Sequence, residues 1–157
     1  MQIIRSLLAG IRPLLPYLLI LLAIGTVLAA PLPGRGPGWP ARRDPWRSFK
    51  FEARRHVMDR ASGRCEAPVL LAWGRCRNNA TEADHIYPWS KGGATVVSNG
   101  QALCTHHNKS KGARTPPWWY VLGLERRRRT YFATGIQVRV AAAMSDSDRV
   151  ARTSSSR

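Results

Sequence analysis

The hydrophobic residues of this chain form one long run near its start and several short segments after it. Leu14 to Ala30 contains 17 residues without a charge. At about 1.5 Å per residue, a helix over this run is about 26 Å long, close to the thickness of a bilayer core. A buried helix of a soluble protein would need partners on every face, and a small basic domain offers few. We therefore predict that residues 1–30 are a membrane anchor or a signal segment.

The basic residues around this run favour one orientation in the membrane. Only Arg5 and Arg12 precede it, whereas five basic residues follow within twenty positions: Arg35, Arg42, Arg43, Arg47 and Lys50. Because positive charge is retained on the cytoplasmic side, we expect an anchor through residues 14–30 with the rest of the chain in the cytoplasm. The alternative is cleavage after Ala29 and secretion of the remainder.

The next two segments predict a linker and a helix. Residues 31–47 are rich in Pro, Gly, Arg and Trp and show no apolar period, which is typical of a linker. Ser48–Ala61 predicts a helix with Ser48 as its N-cap. Four apolar residues near helical spacing should pack on the core: Phe51, Ala53, Val57 and Met58.

The middle of the chain predicts two strands followed by a helix. Thr81–Ile86 indicates a short strand, and the glycines at 92 and 93 allow the chain to turn back. Gln101–Leu103 indicates a second strand. Thr105–Lys111 then predicts a helix that Thr105 caps and Gly112 closes.

The last third of the chain predicts elements that cover this core. Trp118–Arg129 predicts a helix with an apolar start and a basic end, and Tyr131–Val140 partly alternates as a strand does. Ala141–Arg157 is polar and Ser-rich, so we expect a disordered tail. The predicted domain limits are 48–116 for the core, 117–140 for the helix and strand, and 141–157 for the tail.

Charge adds a class of partner to this picture. The chain carries 25 Lys and Arg against 9 Asp and Glu, a formal charge of +16, and all nine acids follow Pro31. Such a surface attracts polyanions, and nucleic acid is the partner that we expect. Solubility and attraction to anionic lipid are the alternatives that charge alone leaves open.

The cysteines predict a structural metal. Three cysteines cannot all pair in disulfides, but three thiolates and one histidine make a complete zinc site. The candidate ligands are Cys65, Cys76, Cys104 and His107, with His106 as the alternative histidine. Ten residues lie between Cys65 and Cys76, so Val69-Leu70-Leu71 would have to fold inward between them. The alternative is that Cys65 and Cys76 are ordinary buried thiols.

Two motifs in this region resemble a known family. The patterns D-H-I-x-P-x-S-x-G-G and N-x-Q-x-L-C-x-x-H-N-x-x-K, over about residues 62 to 115, are similar to the HNH endonucleases, or ββα-metal nucleases. The resemblance implies an α+β fold, a small zinc-stapled ββα-metal domain behind the N-terminal hydrophobic helix. It also implies an enzyme that hydrolyses the phosphodiester bonds of DNA with the help of a divalent cation.

The resemblance assigns a role to each residue of the motif. Asp84 and Asn108 would bind the catalytic Mg²⁺ or Mn²⁺, and His85 would be the general base. Asn99 would brace the loop that orients the histidine. The candidate phosphate contacts are Lys91, Lys109, Lys111 and Arg114. No organic cofactor is expected.

Other interpretations of the same residues stay open. An isolated Asp-His pair is usually a hydrogen-bonded feature of a structural loop, although Asp84-His85 stands among the other motif residues. A zinc-stapled module that binds nucleic acid without cutting it would keep the same motif. An exported nuclease toxin would differ only in where the domain resides.

Overall fold

The computed structural model describes residues 12–31, 36, 43–69 and 74–154 of the chain. The chain divides into two compact units, residues 1–30 and residues 31–157. The first eleven residues of the predicted anchor, most of the predicted linker and Leu70–Leu71 lie outside the described residues.

The described part of the N-terminal unit is apolar and helical. A 3-10 turn, Arg12–Leu14, leads into α1, Leu15–Ala29, and every described side chain in these two elements is exposed. Pro16 lies in the first turn, where its missing N–H breaks no helical bond. The stretch Arg12–Ala29 has a mean hydropathy of 1.8 over 18 residues. Its length and composition suit a membrane span, and a signal sequence would have the same properties.

The first helix of the second unit is α2, Phe51–Arg60, and two predictions about it are wrong. Ser48 does not cap it: Lys50 holds the N-cap position, and no side chain bonds there. Phe51 is 87% exposed, and Phe49 is buried in its place beside Val57. The helix therefore starts after the buried phenylalanine, with only its Val57 side facing the core.

The centre of this unit is a two-stranded antiparallel sheet followed by a helix. β1, Glu82–His85, pairs with β2, Gly100–Leu103, so that Glu82 lies opposite Leu103 and His85 opposite Gly100. α3, Thr105–Lys111, follows directly. The predicted α+β domain of ββα order behind an apolar helix is confirmed. Thr105 is the first helical residue rather than the cap, because Cys104 occupies that position.

Helix α4, Trp118–Arg128, packs on the residues that follow β1 and is fastened by a buried ion pair. Its Val121 and Leu124 pack with Ile86 and Tyr87 in one apolar cluster. Arg128 Nε donates to Glu66 Oε1 at 2.9 Å, and both side chains are fully buried. Charged residues at the end of a helix are usually solvated, so nothing in the local pattern predicted this pair.

The C-terminal predictions are corrected by the structure. Residues 131–140 are irregular rather than a strand: Gly135 has φ of 86°, and the Val140 N–H donates to Glu125 Oε1 instead of to a partner strand. Asp146–Ser154 forms a helix, α5, where we predicted disorder. Its start is a capping box in which the Ser145 hydroxyl and the Asp148 carboxylate each accept a backbone N–H of the other residue.

Candidate active site and metal centre

Four side chains that the sequence predicts as zinc ligands lie together. The sulfur atoms of Cys65, Cys76 and Cys104 and a ring nitrogen of His107 are all within 4.8 Å of one another. His107 Nδ1 is 3.2 Å from Cys104 Sγ and 3.5 Å from Cys65 Sγ. His106 is outside this cluster, and its ring meets that of His107 edge-on at 5.2 Å.

This cluster fits a tetrahedral zinc ion. Bond lengths of about 2.3 Å to sulfur and 2.0 Å to nitrogen place adjacent ligands about 3.6 Å apart, close to the two distances from His107. Burial raises the pKa of the Cys65 thiol to about 11, so a metal ion that binds it must displace a proton. Burial also opposes ionisation of Cys104, but hydrogen bonds from the His107 backbone N–H and neighbouring groups lower its pKa overall.

The long spacing between Cys65 and Cys76 is closed by backbone hydrogen bonds at the base of the loop. The Cys65 N–H donates to Asn78 O at 3.0 Å, and the Cys76 N–H donates to Ala67 O at 2.9 Å. These bonds hold the two ends of the loop together. Val69 is 64% exposed, which corrects the prediction that it folds inward.

The first strand and the helix after the sheet bring three oxygen donors to one face. Alternation along β1 puts Glu82 and Asp84 on the same side of the sheet. On that side Asn108 of α3 donates its Nδ2 hydrogen to Glu82 Oε2. An amide that donates through nitrogen on one side presents its carbonyl oxygen on the other. Glu82 thus orients Asn108 as an oxygen donor.

Asp84 provides the test of whether this face suits a cation. Its Oδ2 atom is buried, and among the described residues no group donates a hydrogen bond to it. Lys111 Nζ lies 2.7 Å away as an ion pair without hydrogen-bond geometry. Carboxylate and amide oxygens are the ligands that a hard divalent cation prefers. Asp84 and Asn108 therefore fit Mg²⁺ or Mn²⁺.

His85 ends the same strand and is held by a hydroxyl. Its Nε2 lies 2.9 Å from Thr95 Oγ1, and its ring packs on Phe49 with centroids 4.6 Å apart. Burial lowers the pKa of His85; Asp84 opposes this effect, and Lys111 adds to it. An imidazole with a lowered pKa is neutral at pH 7, as a general base must be.

Asn99 braces the loop that follows His85. Its Oδ1 accepts the Tyr87 N–H at 2.9 Å, and its Nδ2 donates to Tyr87 O and Ala94 O at 3.0 and 2.9 Å. The turn depends on Gly93, because a Cβ there would lie 2.0 Å from Tyr87 O and 2.9 Å from Asn99 Nδ2. A fully buried asparagine thus closes the loop with three hydrogen bonds.

A comparison with known protein families places these residues in one matched domain. Residues 63–114 match the HNH endonuclease family model. Neither a curated protein nor a solved structure matches the chain. The matched HNH domain is about a third of the chain, and it contains the four-residue metal cluster together with Asp84, His85 and Asn108. An HNH domain indicates a nuclease or nucleic-acid-binding function.

The basic residues predicted to contact phosphate occupy two kinds of position in the HNH domain. Lys91, Lys109 and Arg114 are exposed. Arg114 donates through Nε to Lys111 O at the end of α3, so its guanidinium lies against the helix terminus. Lys111 is half-buried against Asp84.

Several residues around His85 escaped the sequence analysis. Glu82 had a readable signal, since it stands two residues before Asp84 in a strand. No feature of the sequence singled out Thr95, because threonine is common in any loop. Asp44 and Arg152 bond to each other and to Thr95 across 108 residues of sequence, outside the HNH domain. Their placement corrects the interpretation of residues 31–47 as a linker throughout.

Proposed function

We propose that this protein is a metal-dependent endonuclease that hydrolyses phosphodiester bonds of DNA. The observation that carries the proposal is the buried Asp84 oxygen that no described group hydrogen-bonds, on the strand that also ends in His85. A hydrolytic site needs a group that binds a charge-neutralising ion beside a group that accepts the proton of water. Asp84 and His85, adjacent on β1, are the candidates for these two roles.

In the proposed reaction His85 is the general base. It takes a proton from the attacking water, and its lowered pKa keeps it ready to do so near pH 7. Asp84 and Asn108 hold the divalent cation. When bound, that ion supplies the positive charge that neutralises the phosphate and the departing sugar oxygen. Asn99 keeps the loop after His85 in place.

We assign the remaining predicted residues to structure and to DNA binding. Cys65, Cys76, Cys104 and His107 hold a structural zinc ion that stabilises a small core. Lys91, Lys109 and Arg114 contact phosphates, and Lys111, which lies beside Asp84, is the fourth candidate. Contacts of this kind position DNA without reading its sequence.

We also propose that α1 anchors the protein with its HNH domain in the cytoplasm. The support is the apolar stretch Arg12–Ala29 and the excess of basic residues after it. Protease added to intact cells should then leave the domain uncut. A secreted product that begins near Pro31 would contradict the anchor and favour an exported nuclease toxin, without changing the chemistry.

Plasmid cleavage tests the proposed reaction. Full-length protein in detergent, loaded with zinc and freed of other divalent ions, is incubated with supercoiled DNA with and without Mg²⁺ or Mn²⁺. We expect cleavage only with one of these ions, and its arrest by EDTA. A labelled RNA is run in parallel, and faster cleavage of RNA would replace DNA as the substrate.

Two observations favour a second function, a zinc-stapled module that binds nucleic acid without cutting it. His85 is only 6% exposed, and the Lys111 ammonium already neutralises Asp84. Such a module would retard DNA in a gel and leave the plasmid intact with either ion. Plasmid cleavage together with gel retardation of DNA therefore separates the two functions.

A further inference from the structure

The hydroxyl of Thr95 determines which nitrogen of His85 carries the proton. Thr95 Oγ1 lies between His85 Nε2, at 2.9 Å, and the carbonyl oxygen of Trp46. A carbonyl only accepts, so the single hydroxyl hydrogen goes to Trp46 O. The hydroxyl oxygen must then accept a hydrogen from His85. Nε2 is therefore protonated, and the lone pair of the neutral ring lies on Nδ1.

Thr95 is itself held at both ends of its backbone. Its N–H donates to Asp44 Oδ2 at 2.8 Å, and its carbonyl accepts from Arg152 Nη2 at 2.7 Å. Asp44 and Arg152 complete the ring as a bidentate pair, with contacts of 2.7 and 3.0 Å. The threonine is thus fixed by two side chains that come from opposite ends of the second unit.

The same pair fixes the carbonyl to which Thr95 donates. The Trp46 N–H donates to Asp44 Oδ1 at 2.8 Å, and the Arg152 guanidinium lies 4.3 Å from the centre of the Trp46 ring. The Asp44 and Arg152 side chains are only 2% and 17% exposed. A buried ion pair adds little net stability, because desolvation cancels its attraction, but it does impose one geometry.

We propose that Asp44, Thr95 and Arg152 form a clamp that positions His85 and selects Nδ1 as its basic atom. The clamp rests on the proposed function, in which His85 is the base. It adds that the HNH domain is not the whole active site. The segment before α2 supplies Asp44 and the Trp46 carbonyl, and helix α5 supplies Arg152.

The ring nitrogens of His85 give a readout that does not depend on cleavage. Full-length, zinc-loaded protein is labelled with ¹⁵N-histidine, and the protonated and unprotonated nitrogens of each neutral ring are distinguished by NMR. The His85 signals are those missing from the His85→Gln variant. The variants are Thr95→Val, which keeps the shape without the hydroxyl, Thr95→Ser, which keeps the hydroxyl, and Arg152→Ala.

We expect protonated Nε2 in the parent and in Thr95→Ser, and a mixture of tautomers in Thr95→Val and Arg152→Ala. Cleavage by the latter two should fall about 10- to 100-fold through kcat with KM for DNA unchanged, as for other residues that orient a reacting group. A parent ring protonated on Nδ1, or a Thr95→Val protein with the parent's tautomer and kcat, would overturn the clamp. A parent that shows the expected tautomers and does not cut would refute the proposed function alone.

Discussion

Glu82 determines which atom of the Asn108 amide can face a cation. The carboxylate accepts the Nδ2 hydrogen of Asn108, which leaves the amide oxygen for the site. Without that acceptor the amide can rotate and present its nitrogen, which does not bind a hard cation. One side chain outside the familiar motif thereby controls a proposed metal ligand.

We predict that Glu82→Ala weakens binding of Mn²⁺ about 10- to 100-fold, the usual effect of removing a partner of a metal ligand. Glu82→Gln should bind Mn²⁺ nearly as well as the parent, because its amide oxygen also accepts from Asn108. Electron paramagnetic resonance of free Mn²⁺ measures this in zinc-loaded protein. Glu52→Ala, on the exposed side of α2, is the control. Equal losses in the Ala and Gln variants would show that Glu82 is a ligand rather than a support.

Lys111 competes with the proposed cation for Asp84. Its ammonium lies 2.7 Å from a carboxylate oxygen that no described group hydrogen-bonds. We predict that Lys111→Met binds Mn²⁺ more tightly than the parent and binds DNA more weakly, because it removes one positive charge from the site. Titrations of Mn²⁺ and of a labelled duplex measure the two effects. Weaker binding of Mn²⁺ by Lys111→Met would contradict the placement of the cation at Asp84.

At the scale of elements, the sequence was most informative where local pattern suffices. The ββα order followed from short apolar segments, the Gly-Gly turn and the helix after Cys104, and the structure has all of them. The strand predicted at Tyr131–Val140 failed because alternation does not supply a partner strand. The tail prediction failed because we overlooked a capping box at Ser145 to Asp148. Contacts such as Asp44–Arg152 join distant residues and leave no local pattern.

The buried ion pair between Glu66 and Arg128 links the loop between Cys65 and Cys76 to α4. Glu66 also accepts from the Ala102 N–H and the Tyr131 hydroxyl, and Arg128 donates to Gly100 O at 2.7 Å. Arg128→Met would leave a carboxylate buried without its counter-ion, which typically costs about 3–5 kcal/mol.

We therefore predict that Arg128→Met lowers the free energy of unfolding by about that amount in urea denaturation of zinc-loaded protein. Arg129→Met is the control, since Arg129 is exposed one position further along. Glu66→Gln combined with Arg128→Met should recover part of the loss, because no charge is then left unpaired. An Arg128→Met protein as stable as Arg129→Met would mean that the pair contributes nothing.

At the scale of the whole molecule, the described residues of the second unit offer little apolar core to hold it together. The described apolar core is split into three small groups, and the three cysteines form one of them together with Ala67 and Leu103. A core of this size rarely provides enough stability by itself, so zinc should contribute much of it.

We predict that Cys104→Ser releases zinc and unfolds most of the second unit, whereas Asp84→Ala keeps zinc and the fold. Elemental analysis and circular dichroism measure both properties. Active, folded protein without zinc would contradict the structural role of the cluster.

Cleavage by His85→Ala tests the proposed active site most directly. The variant is compared with the parent and with His56→Ala, a histidine exposed on α2, under single-turnover conditions with supercoiled plasmid and Mg²⁺. Loss of the base should slow cleavage on the order of 10²- to 10⁴-fold, with zinc content and DNA affinity unchanged. His56→Ala should cut at the parent's rate. If His85→Ala also cuts at that rate, His85 is not the base and the proposed site is wrong.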